Sequence, residues 1–292
     1  MALVGASCNG AKKDPAVGGA DTPLPRTDAQ VAVEETLPGV DTADLKPDEK
    51  QQFFRLIDSA PSPCGKPQSL RASIKTDPDC KRAIFAARYL KKFSSFGAED
   101  EEVLTRYKSR YQQDGTHEFD TTGAPYEGVP NAPVKIIEFF DYSCPHCKLT
   151  LPVLEDAVAE YPSDVVIYFM HFPLGGQYHP NSEALAQGAV AAQKQGKFRE
   201  MHKKLFAAQD GGDQTEAGIF KIAKEIGLDM TRFAADFKDP STIKLVASQR
   251  EQAEKAKLDG TPAIYINGRT YSDAHEFEYL KSWIDEEIAV TR

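Results

Sequence analysis

Two cysteines separated by two residues, Cys144-Pro145-His146-Cys147, are the stretch of this 292-residue sequence best suited to chemistry. A thiol exchanges disulfides only as the thiolate, so the first cysteine must be made acidic. Its setting supplies a way. An apolar, β-rich run from Pro133 to Phe140 leads straight into Cys144, and Leu151, Leu154, Ala157, Val158 and Tyr161 mark a helix beyond it. Cys144 then stands at a helix N-terminus, where unpaired N–H groups and the helix dipole favour negative charge. Pro145 suits the first helical position and stiffens the turn. His146 can add a donor or a positive charge. Cys147, one turn on, is close enough to close a disulfide and is more shielded from attack. The same spacing is half of a zinc site, a reading that needs a second CxxC or two well-placed histidines. Cys8, Cys64 and Cys80 are not so spaced, and metal binding stays as the minor alternative.

Positioning such a pair takes a layered α/β scaffold. Val165 to Met170 reads as a second strand, so strand, helix and strand fit a parallel crossover. A long helical stretch follows. Ser182 can cap a helix carrying Leu185, Ala189 and Ala192 that stops near Gly196. Phe198, Met201, Leu205 and Phe206 mark another, and Ile219, Ile222, Ala223 and Ile226 a third with Gly227 as its stop. Ser241 starts a further helix running to Leu258. Ala263 to Ile266, the Asn267-Gly268 pair and Thr270-Tyr271 read as a hairpin with a tight turn. A last helix carries Phe277, Leu280, Trp283, Ile284 and Ile288.

The first part of the chain is different. Residues 9–47 are rich in Ala, Gly, Pro, Asp and Thr without a sustained apolar period, so 1–47 is expected to be a flexible tether. Residues 48–115 carry three helical stripes: Phe53, Phe54, Leu56, Ile57 and Ala60; Ala83, Ile84, Ala87 and Leu90; and Val103, Leu104, Tyr107 and Tyr111. Cys64 and Cys80 fall between the first two. A disulfide there would contribute ~3 kcal/mol in the chain-entropy model, which a small helical module needs. Two buried free cysteines are the alternative. The formal net charge of −9 argues against nucleic acid as the main partner, and no apolar run approaches the ~20 residues that span a bilayer.

Strand, CPHC, helix, a helical insertion over about 175–258 and then Gly260-Thr261-Pro262-Ala263-Ile264-Tyr265-Ile266-Asn267-Gly268 resemble the DsbA-like branch of the thioredoxin superfamily. The resemblance covers roughly 116–292. It includes His171-Phe172-Pro173-Leu174 and the run from Gln195-Gly196-Lys197-Phe198 to Met201-His202. It implies a thioredoxin-like α/β fold behind the small all-helical module, and a thiol:disulfide oxidoreductase with no cofactor beyond its own Cys144–Cys147 disulfide. Pro262 would be the cis-proline facing that disulfide, with the Thr261 backbone turned toward an extended protein substrate. The strongly oxidising members have Val before this proline; Thr261 is more like the isomerases. Glu138, six residues before Cys144, matches a buried acid that assists proton movement at Cys147. An edge-exposed strand carboxylate is the plain alternative. His171, which follows a strand, and His179, before Pro180, are assigned to packing and loop capping; His117, His202 and His275 have no partner motif.

These readings converge on an exported enzyme acting on cysteine-containing proteins, served by a membrane or soluble redox partner. A dithiol oxidase is the first form, and an isomerase or reductase kept reduced by a partner the second. The five cysteines divide into the active pair, a structural Cys64–Cys80 pair and Cys8. A structural disulfide and a redox CxxC both belong in an oxidising compartment, here the bacterial periplasm or cell envelope. Leu3-Val4-Gly5-Ala6-Ser7-Cys8 resembles the tail of a lipoprotein signal, although Gly5 stands where Leu is usual. Cys8 is thus a candidate lipidation site and membrane tether, the alternative being a free thiol.

Overall fold

Among the described residues, four helices precede the first strand: α1 (Pro47–Ser59), α2 (Leu70–Thr76), α3 (Arg82–Ser95) and α4 (Asp100–Tyr111). The computed structural model describes residues 36–292, and Cys8 lies outside them. Each of the three apolar stripes is a helix that buries it. Phe53, Phe54, Leu56 and Ile57 are buried on α1, Ala83, Ala87 and Leu90 on α3, and Val103, Tyr107 and Tyr111 on α4. The seven residues of α2 are too few to show a helical period, although Ser69 caps it by accepting from the Ala72 N–H. Cys64 and Cys80 are joined by a disulfide that ties the loop after α1 to the turn before α3. Within the stretch assigned to a tether, Leu37, Val40 and Leu45 are buried, and Arg88 of α3 donates to the Gly39 carbonyl. Packing therefore begins ahead of α1.

A five-stranded sheet follows, in the order β1-β3-β2-β4-β5. Its members are β1 (Tyr126–Gly128), β2 (Val134–Phe140), β3 (Val165–His171), β4 (Ala263–Ile266) and β5 (Arg269–Thr270). β2 and β3 are parallel, in register from Val134↔Val165 to Phe140↔His171, with α5 (Pro145–Glu160) as the crossover. The other pairings are antiparallel. Three residues are too short for strand alternation to show, which is why β1 is not legible in the sequence.

Between β3 and β4 lie α6 (Ser182–Gln193), α7 (Phe198–Ala207), α8 (Glu216–Glu225), α9 (Met230–Phe237) and α10 (Pro240–Lys255); α11 (Phe277–Thr291) closes the chain. Ser182 does not cap α6. It is the first helical residue, and its hydroxyl donates to Asp141 instead. The helix expected from Ser241 starts one residue earlier, with Asp239 as its cap. On one sheet face Val134, Ile136, Phe140, Ile167 and Phe169 pack with α5, α6, α7 and α11; on the other, Ile137, Phe139, Met170 and Tyr265 meet Ala253 of α10 and Phe119.

The N-terminal helices reach α11 through buried charge. Arg110 of α4 donates to Glu286 at 2.8 Å and to Asp273 at 3.2 Å. Arg82 of α3 and Arg269 of β5 each bridge Glu286 and Glu287. Three cations facing three carboxylates leave no net buried charge, the condition under which such a cluster is tolerable.

Candidate functional site

The turn that delivers Cys144 is built by Asp141. Its buried carboxylate accepts the Ser143 N–H at 2.7 Å, the Leu174 N–H at 2.8 Å and the Ser182 hydroxyl at 2.7 Å, with His179 Nδ1 at 3.3 Å. One side chain thus ties the end of β2 to the loop after β3 and to α6. The Cys144 N–H closes the turn on the Asp141 carbonyl at 3.0 Å. Two glutamines hold it from the connection after α7. Gln209 donates to the carbonyls of Tyr142 at 2.7 Å and Cys144 at 3.1 Å, and Gln214 to Tyr142 at 3.1 Å. Neither glutamine carries a sequence signal. Each is an ordinary polar residue some 60 or more positions from the site it supports.

Cys144 is the N-cap of α5 and Pro145 its first residue. Both thiols are buried and free. Cys144 Sγ lies 3.2 Å from the Thr261 carbonyl oxygen, and the Thr261–Pro262 peptide is cis. The end of the strand-entry loop before β4 therefore stands directly against the first cysteine. The neighbouring Cys147 thiol, Thr261 and the amides of Cys147 and His146 hold the Cys144 thiol down at about 5, against the burial that pushes it up. Cys147 goes the other way. Burial, then the hydrogen bond it gives Cys144, then the nearby Glu138 charge push its thiol well above the ordinary range. The imidazole of His146 is exposed, whereas its backbone N–H bears on Cys144.

Glu138 is 2% exposed, so it is no edge-exposed carboxylate. Strand alternation sets it on the face of Ile136 and Phe140, the face that carries α5. Its Oε1 has no partner, and burial, with the Cys144 charge second, pushes its acid up to about 8. At neutral pH the side chain is therefore a carboxylic acid able to give or take a proton.

His171 and His202 are buried in aromatic surroundings, and burial holds both down at about 3, so both are neutral packing groups. His202 Nδ1 is 2.8 Å from the Tyr142 hydroxyl. Among the described residues no group of three or more His, Cys, Asp or Glu side chains is arranged to hold a metal, and no helix is long and apolar enough to cross a membrane.

Known proteins are similar to this chain over the same region. Residues 135–285, just over half of the chain, match the DSBA-like thioredoxin domain. A thioredoxin-like oxidoreductase from Silicibacter pomeroyi, a solved structure, superposes with a TM-score of 0.51 at 28% identity, covering 61% of this chain and 95% of that one. A Bacillus anthracis protein named probable disulfide bond formation protein D is 29% identical over 170 residues, 55% of this chain and 76% of that protein. A Salinispora tropica protein named Na(+)/H(+) antiporter NhaA 3 is 31% identical over 165 residues, 56% of this chain; the match spans about a quarter of the antiporter's length. With an acidic Cys144 before a buried Cys147 on the strand-to-helix turn of the matched region, this chain is a member of the DSBA-like thioredoxin domain family.

Proposed function

We propose that the protein is an exported dithiol oxidase that donates the Cys144–Cys147 disulfide to cysteine-containing protein clients. The observation that carries this is the opposed setting of the two thiols, Cys144 acid at about 5 and Cys147 pushed far up. An acidic Cys144 is a good leaving group, and its stable thiolate lowers the energy of the reduced pair, which drives oxidation of the client.

The chemistry balances within client and enzyme. A client thiolate attacks Cys144 Sγ, the Cys144–Cys147 bond breaks, and Cys147 leaves as a thiolate. Glu138, protonated at neutral pH and near enough for its charge to bear on Cys147, would give its proton to that buried sulfur. A second client thiolate attacks the client sulfur of the mixed disulfide and expels Cys144 as a thiolate. The client loses two electrons, the enzyme pair gains them, and a membrane or soluble partner reoxidises it. Pro145 and His146 shape the turn, while Thr261 and Pro262 form the edge along which an extended client would lie. Cys144→Ser should abolish exchange, and Cys147→Ser should accumulate mixed disulfides visible on non-reducing gels. A fully active Cys144→Ser would overturn the mechanism.

Export to the bacterial periplasm or envelope belongs to the same reading, supported by the Cys64–Cys80 disulfide. Cys8 would be the lipid attachment, tested by the mass of the envelope-purified protein. Thr261 before Pro262 favours a second reading, an isomerase or reductase kept reduced by a partner, with the N-terminal helices as an oligomerisation arm. A monomer by light scattering would count against it.

A further inference from the structure

We propose that His275 is a positioning residue for the Cys144–Cys147 pair and that the N-terminal helices hold it in place through Asp273. The proposal rests on the thiol-exchange reading above, and its carrier is the short connection between β5 and α11. In that connection Ser272 and Ala274 are exposed. Asp273 turns inward, its side chain 3% exposed, and its carboxylate meets three donors. These are the Tyr89 hydroxyl at 2.8 Å, Arg110 at 3.2 Å and Trp283 Nε1 at 2.7 Å. Two of the three come from α3 and α4. The connection is thus anchored by elements that precede the thioredoxin-like sheet.

Two residues on, His275 Nδ1 lies 3.1 Å from the Thr150 hydroxyl on α5. That hydroxyl donates to the His146 carbonyl at 2.9 Å. With its one proton so committed, Thr150 accepts from His275, and the imidazole must carry its proton on Nδ1. Burial, with His146 second, holds His275 below the ordinary histidine range, so the neutral ring is the form that donates. Thr150 is buried one turn beyond Cys147, and the carbonyl it grips belongs to the turn whose amides lower Cys144. A threonine bonding back to the carbonyl four residues earlier tends to bend its helix. A fixed donor on Thr150 keeps its hydroxyl turned to the His146 carbonyl. The path from Tyr89 and Arg110 through Asp273 and His275 to Thr150 and His146 is therefore continuous in hydrogen bonds and one short piece of backbone.

The test compares His275→Phe, which fills the space without a donor, with His275→Asn, whose amide nitrogen can stand where Nδ1 does. The readouts are thiolate absorbance near 240 nm against pH and the equilibrium of the pair with glutathione, in the full chain. His275→Phe is expected to raise the Cys144 midpoint by about half a pH unit, about threefold less thiolate below it. The glutathione equilibrium should shift about threefold toward the pair's reduced form being lost. His275→Asn should restore both, and Tyr89→Phe should move both the same way by less. A folded His275→Phe with unchanged midpoint overturns the proposal, as does an equal shift in His275→Asn. Should His275→Phe fail to fold, Tyr89→Phe still decides, and an unchanged midpoint there removes the link to the N-terminal helices. Wild-type protein that does not exchange with glutathione would defeat the functional reading, while the 240 nm titration would still test the positioning.

Discussion

Cys144 and Cys147 stand on one turn of one helix, yet their thiols are driven apart. Cys144, at the N-cap, has the Cys147 thiol, Thr261 and the first amides of α5 as donors, whereas Cys147, inside the helix, is pushed up chiefly by burial. This has a consequence for stability. The Cys144 thiol falls from an ordinary 9.0 to about 5, so reduced protein takes up a proton on unfolding anywhere between those values. Oxidised protein has no such proton to take up. The advantage of the reduced form therefore grows as pH rises from about 5 toward 9 and is lost as pH falls through about 5. At about 1.4 kcal/mol per unit, the reduced form should gain ~2–3 kcal/mol over the oxidised form between pH 4.5 and pH 7. Urea unfolding of both forms at the two pH values measures it, and a gap that does not change with pH would contradict it.

The elements that carry the site are short, and their turns are exacting. Asn267 and Gly268 link β4 to β5 with positive φ at both positions, as a tight hairpin turn requires. A Cβ on Gly268 would lie 2.6 Å from the His117 carbonyl oxygen. Gly268→Ala should therefore cost about 2–4 kcal/mol from left-handed strain and overpacking together, read as a lower denaturation midpoint. A change under ~0.5 kcal/mol would mean the loop bearing His117 moves freely aside. This turn, the CPHC helix and the β2–α5–β3 crossover were legible because each has a local signature: a dipeptide, a spacing, an apolar run. The short elements α2 and β1 were not, because a period needs more residues than they contain, and α9 was missed although Met230, Phe233 and Phe237 stand at helical spacing. Asp141, Gln209, Gln214 and His275 escaped for another reason. Their roles arise from contacts across the fold, and nothing in their immediate neighbours marks them. Glu138 was legible only through its distance from Cys144 and the resemblance that gave that distance meaning.

At the scale of the molecule, the cluster of Arg82, Arg110 and Arg269 with Asp273, Glu286 and Glu287 joins the helices before the sheet to the helix after it. Composition hides such a cluster, since its members are indistinguishable from surface charges until the fold buries them. Arg110→Met should leave Glu286 and Asp273 short of a partner and lower stability by about 3 kcal/mol, within a single unfolding transition. Two separate transitions, or no loss, would show that the helices before the sheet stand apart from it energetically.

The redox potential of the Cys144–Cys147 pair is the most direct measurement. Graded glutathione buffers followed by alkylation and mass would read it. Strongly oxidising DsbA lies at ~−120 mV, protein disulfide isomerase at ~−180 mV and thioredoxin at ~−270 mV. An acidic Cys144 beside a buried Cys147 predicts a value close to the first. A value near thioredoxin's would contradict the oxidase and leave a reductase fed by a partner.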